Sequence, residues 1–94
     1  MILIDPPLWP ARGRVWSHMV SDMSFRELHA FAAELGMPPR AFERDHYDVP
    51  SELYGAAVGL GAQEVGCQEL LRRLTSAGLR RPKFARPGLS ESQA

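Results

Sequence analysis

The sequence predicts a single small α/β domain of two or three layers, and three observations carry that reading. Ile2-Leu3-Ile4 and the run from Val15 to Val20 are apolar stretches of strand length. The stretch from Ser24 to Gly36 has helical periodicity and a stop signal at each end. Two further helix-patterned segments, from about Val49 and from about Cys67, flank a strand-like run at Ala62 to Val65. Alternation of this kind predicts about three helices on a mixed or mostly parallel sheet of three to four strands, with right-handed crossovers.

In chain order, Ile2 to Ile4 reads as a buried strand halted by Asp5, Pro6 and Pro7. Leu8 to Arg14 reads as a loop. In the second strand, alternation sets Trp16, His18 and Val20 on one face and Val15, Ser17 and Met19 on the other. Ser24 and Glu27 form a capping-box pattern, and Phe25, Leu28, Ala32 and Leu35 make the inward stripe of the first helix. His29 falls at the edge of that stripe. A brief strand is expected at Arg40 to Phe42 and a polar loop from Glu43 to Asp48. The second helix would bury Leu53, Ala56, Ala57 and Leu60, with Gly55 and Gly59 permitting close packing on the sheet. The third would bury Leu70, Leu71 and Leu74, pair Glu69 with Arg73, and end at Gly78.

Ninety-four residues, 45% apolar and 23% charged, are the dimensions of one ordinary globular domain. Residues 1–80 are expected to form it and residues 81–94 to form a basic, disordered tail. A core this thin favours burial against a second copy, so a homo-oligomer is expected. The single cysteine, Cys67, fits a reducing compartment, and no run approaches a membrane span, so a cytoplasmic location is expected. Net charge is zero, but the bases crowd after Leu71, as Arg72, Arg73, Arg80, Arg81, Lys83 and Arg86. They are compatible with nucleic acid or an acidic partner, but a solvated helix end and a floppy tail is the favoured reading.

Several short pieces in fixed order resemble a family of small bacterial and phage proteins, domain of unknown function 4031. They are Asp5; Arg12, Gly13 and Arg14; Trp16 to Met19; Asp22; Glu27 to Ala32; Leu35 and Gly36; Phe42; His46 to Val49; and Leu60 to Ala62. The resemblance spans residues 2 to about 65. It implies no established activity. Tyr54 stands where the family resemblance leads one to expect a basic residue.

The residues with chemistry to offer are Asp5 at a strand end, His18 inside a strand, and His46, Tyr47 and Asp48 before a helix start. A carboxylate outside a strand's carboxyl end is placed for metal, ribose or proton work, although it also serves as a turn cap. Each histidine taken singly is as compatible with a hydrogen-bonded structural role. Together Asp5, His18, His46 and Asp48 are expected to converge on one concave site at a sheet end, with His29 beside or behind them. Arg12, Arg14 and Arg44, with Tyr47 and the N-terminus of the second helix, would hold phosphate. The functional expectation is a site for a phosphorylated small molecule or nucleotide, with metal participation left open and no reaction named. The competing expectation is a non-enzymatic module that dimerises through Trp9 and Trp16 and recruits a partner through its basic tail. The sequence contains neither a GxGxxG nor a P-loop signature.

Overall fold

A computed structural model describes residues 1–82. One mixed sheet forms the middle layer, from β1 (Ile2–Ile4), β2 (Trp9–Ala11), β3 (Arg14–Ser21), β4 (Phe42–Glu43), β5 (His46–Pro50) and β6 (Gln63–Glu64). Helices α1 (Phe25–Leu35) and α2 (Tyr54–Gly59) cover one face and α3 (Cys67–Ser76) covers half of the other. The strand order is β4-β5-β3-β1-β6, with β2 also paired to β3.

The long strand β3 organises the sheet, and β1, β2 and β5 all run antiparallel to it. The only parallel pair among the described residues is β1–β6. Tight turns make the β2–β3 and β4–β5 pairs antiparallel, while α1 carries the chain from β3 to β4. Arg12 and Gly13 both have positive φ, 52° and 73°, the signs of a type I′ turn, and they fold the expected loop into the β2–β3 hairpin. A second two-residue turn, Arg44–Asp45 with Arg44 at φ 58°, sends β4 back as β5. The expected polar loop at Glu43 to Asp48 is therefore largely strand. The sheet has six strands, not three or four, because both hairpins add short pieces.

Strand alternation sorts the two faces. Ile2, Ile4, Met19, Tyr47 and Val49 point to α1 and α2, where Leu28, Ala32, Leu35 and Ala57 close the larger core. Leu3 and Val20 point the other way, against Leu70 and Leu74 of α3. α1 starts as expected, with the Glu27 amide donating to Ser24 Oγ at 3.0 Å. The reciprocal half of the capping box is absent. Glu27 instead accepts from Ser21 Oγ and the Met1 ammonium, and the Ser24 amide donates to Ser21 Oγ.

The second helix is shorter than expected. A 3₁₀ turn at Ser51–Leu53 precedes six α-helical residues, only Ala57 of the expected stripe is buried, and Leu60 is exposed. Nothing lies within 4 Å of a Cβ built at Gly55 or Gly59, so they do not serve close packing. In α3, Leu70 and Leu74 are buried but Leu71 is exposed. After α3 the Arg81 amide donates to Asp45 Oδ2 at 2.6 Å. The expected disorder of residues 83–94 lies outside the described residues. No helix of the described residues is long and apolar enough to cross a membrane.

Candidate metal centre

Beyond α3 the second sheet face is open, and its floor is polar. Between β1 and β2 the chain leaves the edge of β3, so the His18 amide has no strand partner there. Asp5 fills the gap: its amide donates to the His18 carbonyl at 3.1 Å, and its Oδ1 accepts the His18 amide at 2.6 Å. The same carboxylate, fully buried, turns its Oδ2 to His18 Nδ1 at 2.9 Å and to Trp9 Nε1 at 3.2 Å. With Nδ1–H donating to a carboxylate, the free lone pair of His18 is on Nε2.

On the neighbouring strand β5 the device is repeated. Asp45, in the β4–β5 turn and 1% exposed, accepts from His46 Nδ1 through Oδ1 at 2.9 Å. The other side of the His46 ring, Nε2, lies 3.1 Å from Asp48 Oδ1. Asp48 stands opposite His18 in the β3–β5 register, which brings the two histidine rings to 5.3 Å between centroids. One ligand atom each from His18, His46 and Asp48 lies within 4.8 Å of the others.

The electrostatics follow from these contacts. Burial works to lower the His46 pKa, but the hydrogen bonds and charges of Asp48 and Asp45 outweigh it and raise the imidazole above its ordinary 6.5. Burial likewise works to raise Asp45, and the Arg81 amide, His46 and Arg80 together bring it below the usual carboxylate value. For Asp48 the hydrogen bond from His46 dominates, helped by the charges of His46, His18 and Arg12, and its pKa is lowered.

A cleft of about 330 Å³ opens between this floor and α3. Its walls include Asp5, Trp9, His18, Arg44, Asp45, His46, Cys67, Leu71 and Arg80. A second depression, about 540 Å³, borders the other side of Asp48 and is lined by Arg12, Arg14, Trp16 and Arg40, among others. Arg12 stacks over Trp16 at 4.8 Å, and Arg14 reaches Glu52 at 3.8 Å.

The structure thus brings Asp5, His18, His46 and Asp48 together, with Arg44 on the cleft wall and Arg12 beside Asp48. Asp5 directly follows the end of β1, His46 opens β5, and His18 and Asp48 face each other in the β3–β5 register. His29 and Tyr47 lie elsewhere: they sit on the α1 side, hydrogen-bonded to each other at 2.8 Å, because Tyr47 alternates with His46 and Asp48 along β5. Asp48 lies within β5 and caps no helix, and the helix start that borders the cleft is that of α3, at Cys67 and Gln68. Asp45 and Arg80 went unnoticed in the sequence. The signal available for Asp45 was a carboxylate adjacent to a histidine, in a stretch where two residues between strand-like pairs imply a tight turn; nothing local marks Arg80.

A family model described as "Protein of unknown function (DUF4031)" matches residues 2–77. No curated protein and no solved structure matches the chain.

Proposed function

We infer the function from the site itself, because the chain belongs to the family described as protein of unknown function (DUF4031), a description that carries no activity. The reading is a divalent transition-metal site formed by His18, His46 and Asp48, whose ion faces the cleft and holds a phosphorylated small molecule or nucleotide. The observation that carries it is the pairing of each histidine Nδ1 with a buried carboxylate, Asp5 for His18 and Asp45 for His46. A carboxylate on Nδ1 fixes the ring, selects Nε2 as the ligand atom and raises its basicity. One such pair alone also fits a hydrogen-bonded structural histidine; two of them beside a third carboxylate, Asp48, with one ligand atom from each of the three within 4.8 Å, support a metal.

Two imidazoles and one carboxylate suit zinc, iron, cobalt or manganese, and three protein ligands leave positions for water or substrate. An ion held there would polarise a phosphoryl oxygen or lower the pKa of a bound water. Arg44 on the cleft wall and Arg12 beside Asp48 supply cationic donors for phosphate. Both His46 nitrogens face carboxylate oxygens, so an ion at Nε2 displaces a proton, and uptake is coupled to proton release.

Calorimetric titration of the metal-free protein with Zn²⁺, Co²⁺ or Mn²⁺ tests the metal. One equivalent is expected to bind, with heat that varies with buffer ionisation enthalpy and a rise in melting temperature. The His18→Ala, His46→Ala and Asp48→Ala variants, folded by circular dichroism, are expected to lose both. Binding that survives all three substitutions would refute the centre. Nucleotides should then add a further thermal shift only when the ion is present; an equal shift without it would separate phosphate binding from the metal.

A further inference from the structure

We propose that Arg80, with the backbone of Arg81, is a positioning element of the metal centre, acting on His46 through Asp45. The inference rests on the metal reading above. The Asp45 carboxylate is a bridge with two ends. Its Oδ1 takes His46 Nδ1 at 2.9 Å, while its Oδ2 takes the Arg81 amide at 2.6 Å and the Arg80 guanidinium at 3.1 Å. All of this happens at a side chain 1% exposed to solvent. A buried carboxylate with one satisfied oxygen would rotate or draw in water, and the ring it holds would turn with it. The donors from the chain beyond α3 remove that freedom.

Their placement is itself supported. Gly78, at φ 77°, turns the chain out of α3, Leu79 packs against the smaller core, and the Arg81 guanidinium lies over Phe25 at 5.5 Å. The strap therefore runs from the α3 side of the sheet to the α1 side and crosses the Asp45 turn on the way. It lies beyond the family-matched residues, which end at 77. Among the described residues the Asp5 end of the site has no counterpart: Trp9 and His18 itself supply its side-chain carboxylate with donors there.

The experiment compares wild type, Arg80→Met and Arg80→Lys in the full chain, by Co²⁺ affinity, the visible spectrum of the Co²⁺ form, and the ring-nitrogen shifts of His18 and His46 without metal. Arg80→Met is expected to weaken Co²⁺ binding about tenfold, the low end for an outer partner of a metal ligand. It should alter the cobalt bands and loosen the Nδ1–H form of His46 while leaving His18 unchanged; Arg80→Lys should restore most of the affinity. A variant with wild-type affinity and His46 shifts overturns the inference alone, as does an equal disturbance of both histidines, which marks general destabilisation. A wild-type chain that takes up no ion overturns the metal reading, and this inference with it.

Discussion

The two faces of the sheet use the same residue types to opposite ends. On the α1 side, His29 and Tyr47 hydrogen-bond to each other, Tyr47 is buried, and its contacts are Phe42 and the larger core. On the α3 side, one residue away along the same strand, His46 lines a cleft together with His18, and one ligand atom of Asp48 lies within 4.8 Å of one from each of them. The first face ties its polar pair together, with Tyr47 buried and His29 left exposed. The second anchors only one nitrogen of each histidine to a buried carboxylate. The comparison teaches that two rings, each fixed by a buried carboxylate and turned toward one further carboxylate, make a prepared site, whereas a polar pair bound only to itself does not.

If the division is sound, substitutions on the two faces have separable effects. The largest should come from the closed face: Leu28→Ala, at a fully buried position, is expected to cost about 2–5 kcal/mol in urea unfolding. Metal affinity measured under folding conditions should be unchanged. A loss of affinity matching that of the ligand variants would break the comparison.

Next in size, Asp5→Asn on the open face should weaken the ion about 10–100-fold, because a neutral amide no longer selects the Nδ1–H form of His18. Titration of the variant with Co²⁺ measures this, and unchanged affinity would place Asp5 among purely structural residues. Ser24→Ala removes the α1 cap and should cost roughly 0.5–2 kcal/mol, with no change in Co²⁺ affinity.

The smallest effect sharpens the boundary between the faces, where Glu27 and Asp22 meet the Met1 ammonium and Arg73. The hydrogen bond from Ser21 and then the Met1 ammonium hold Glu27 below its ordinary 4.5. Burial works to raise Asp22, and the Met1 ammonium and Arg73 outweigh it, so it too is lowered. Carboxylates lowered in the folded state stabilise it above their unfolded values, and that contribution is lost as pH falls through the folded ones. Urea midpoints should therefore decline below about pH 4.5, and Glu27→Gln should flatten the decline. A profile identical to wild type would remove Glu27 from the account.

Much of this arrangement is legible in the residues. The Ser24 cap, the stripe of Leu28, Ala32 and Leu35, and the strand bearing His18 follow from local pattern. So does the distribution of His18 and Val20 to one face. The motif His46-Tyr47-Asp48 misleads because it reads as one polar loop. Once a two-residue turn makes it a strand, alternation sends Tyr47 to the opposite face. That turn needs positive φ at Arg44, a conformation that favours glycine or asparagine and that an arginine does not advertise. Arg80 is invisible for a different reason: its partner lies 35 positions earlier, and no periodicity encodes a contact across that span.

Cys67 opens α3 at the wall of the cleft, exposed, and the chain contains no other cysteine. A thiol-directed fluorophore or spin label therefore attaches at a single place, across the cleft from His18 and His46, without any engineering. A paramagnetic ion in the centre would quench or broaden such a probe, and a molecule entering the cleft would alter its surroundings. The protein carries its own reporting position for ligand searches.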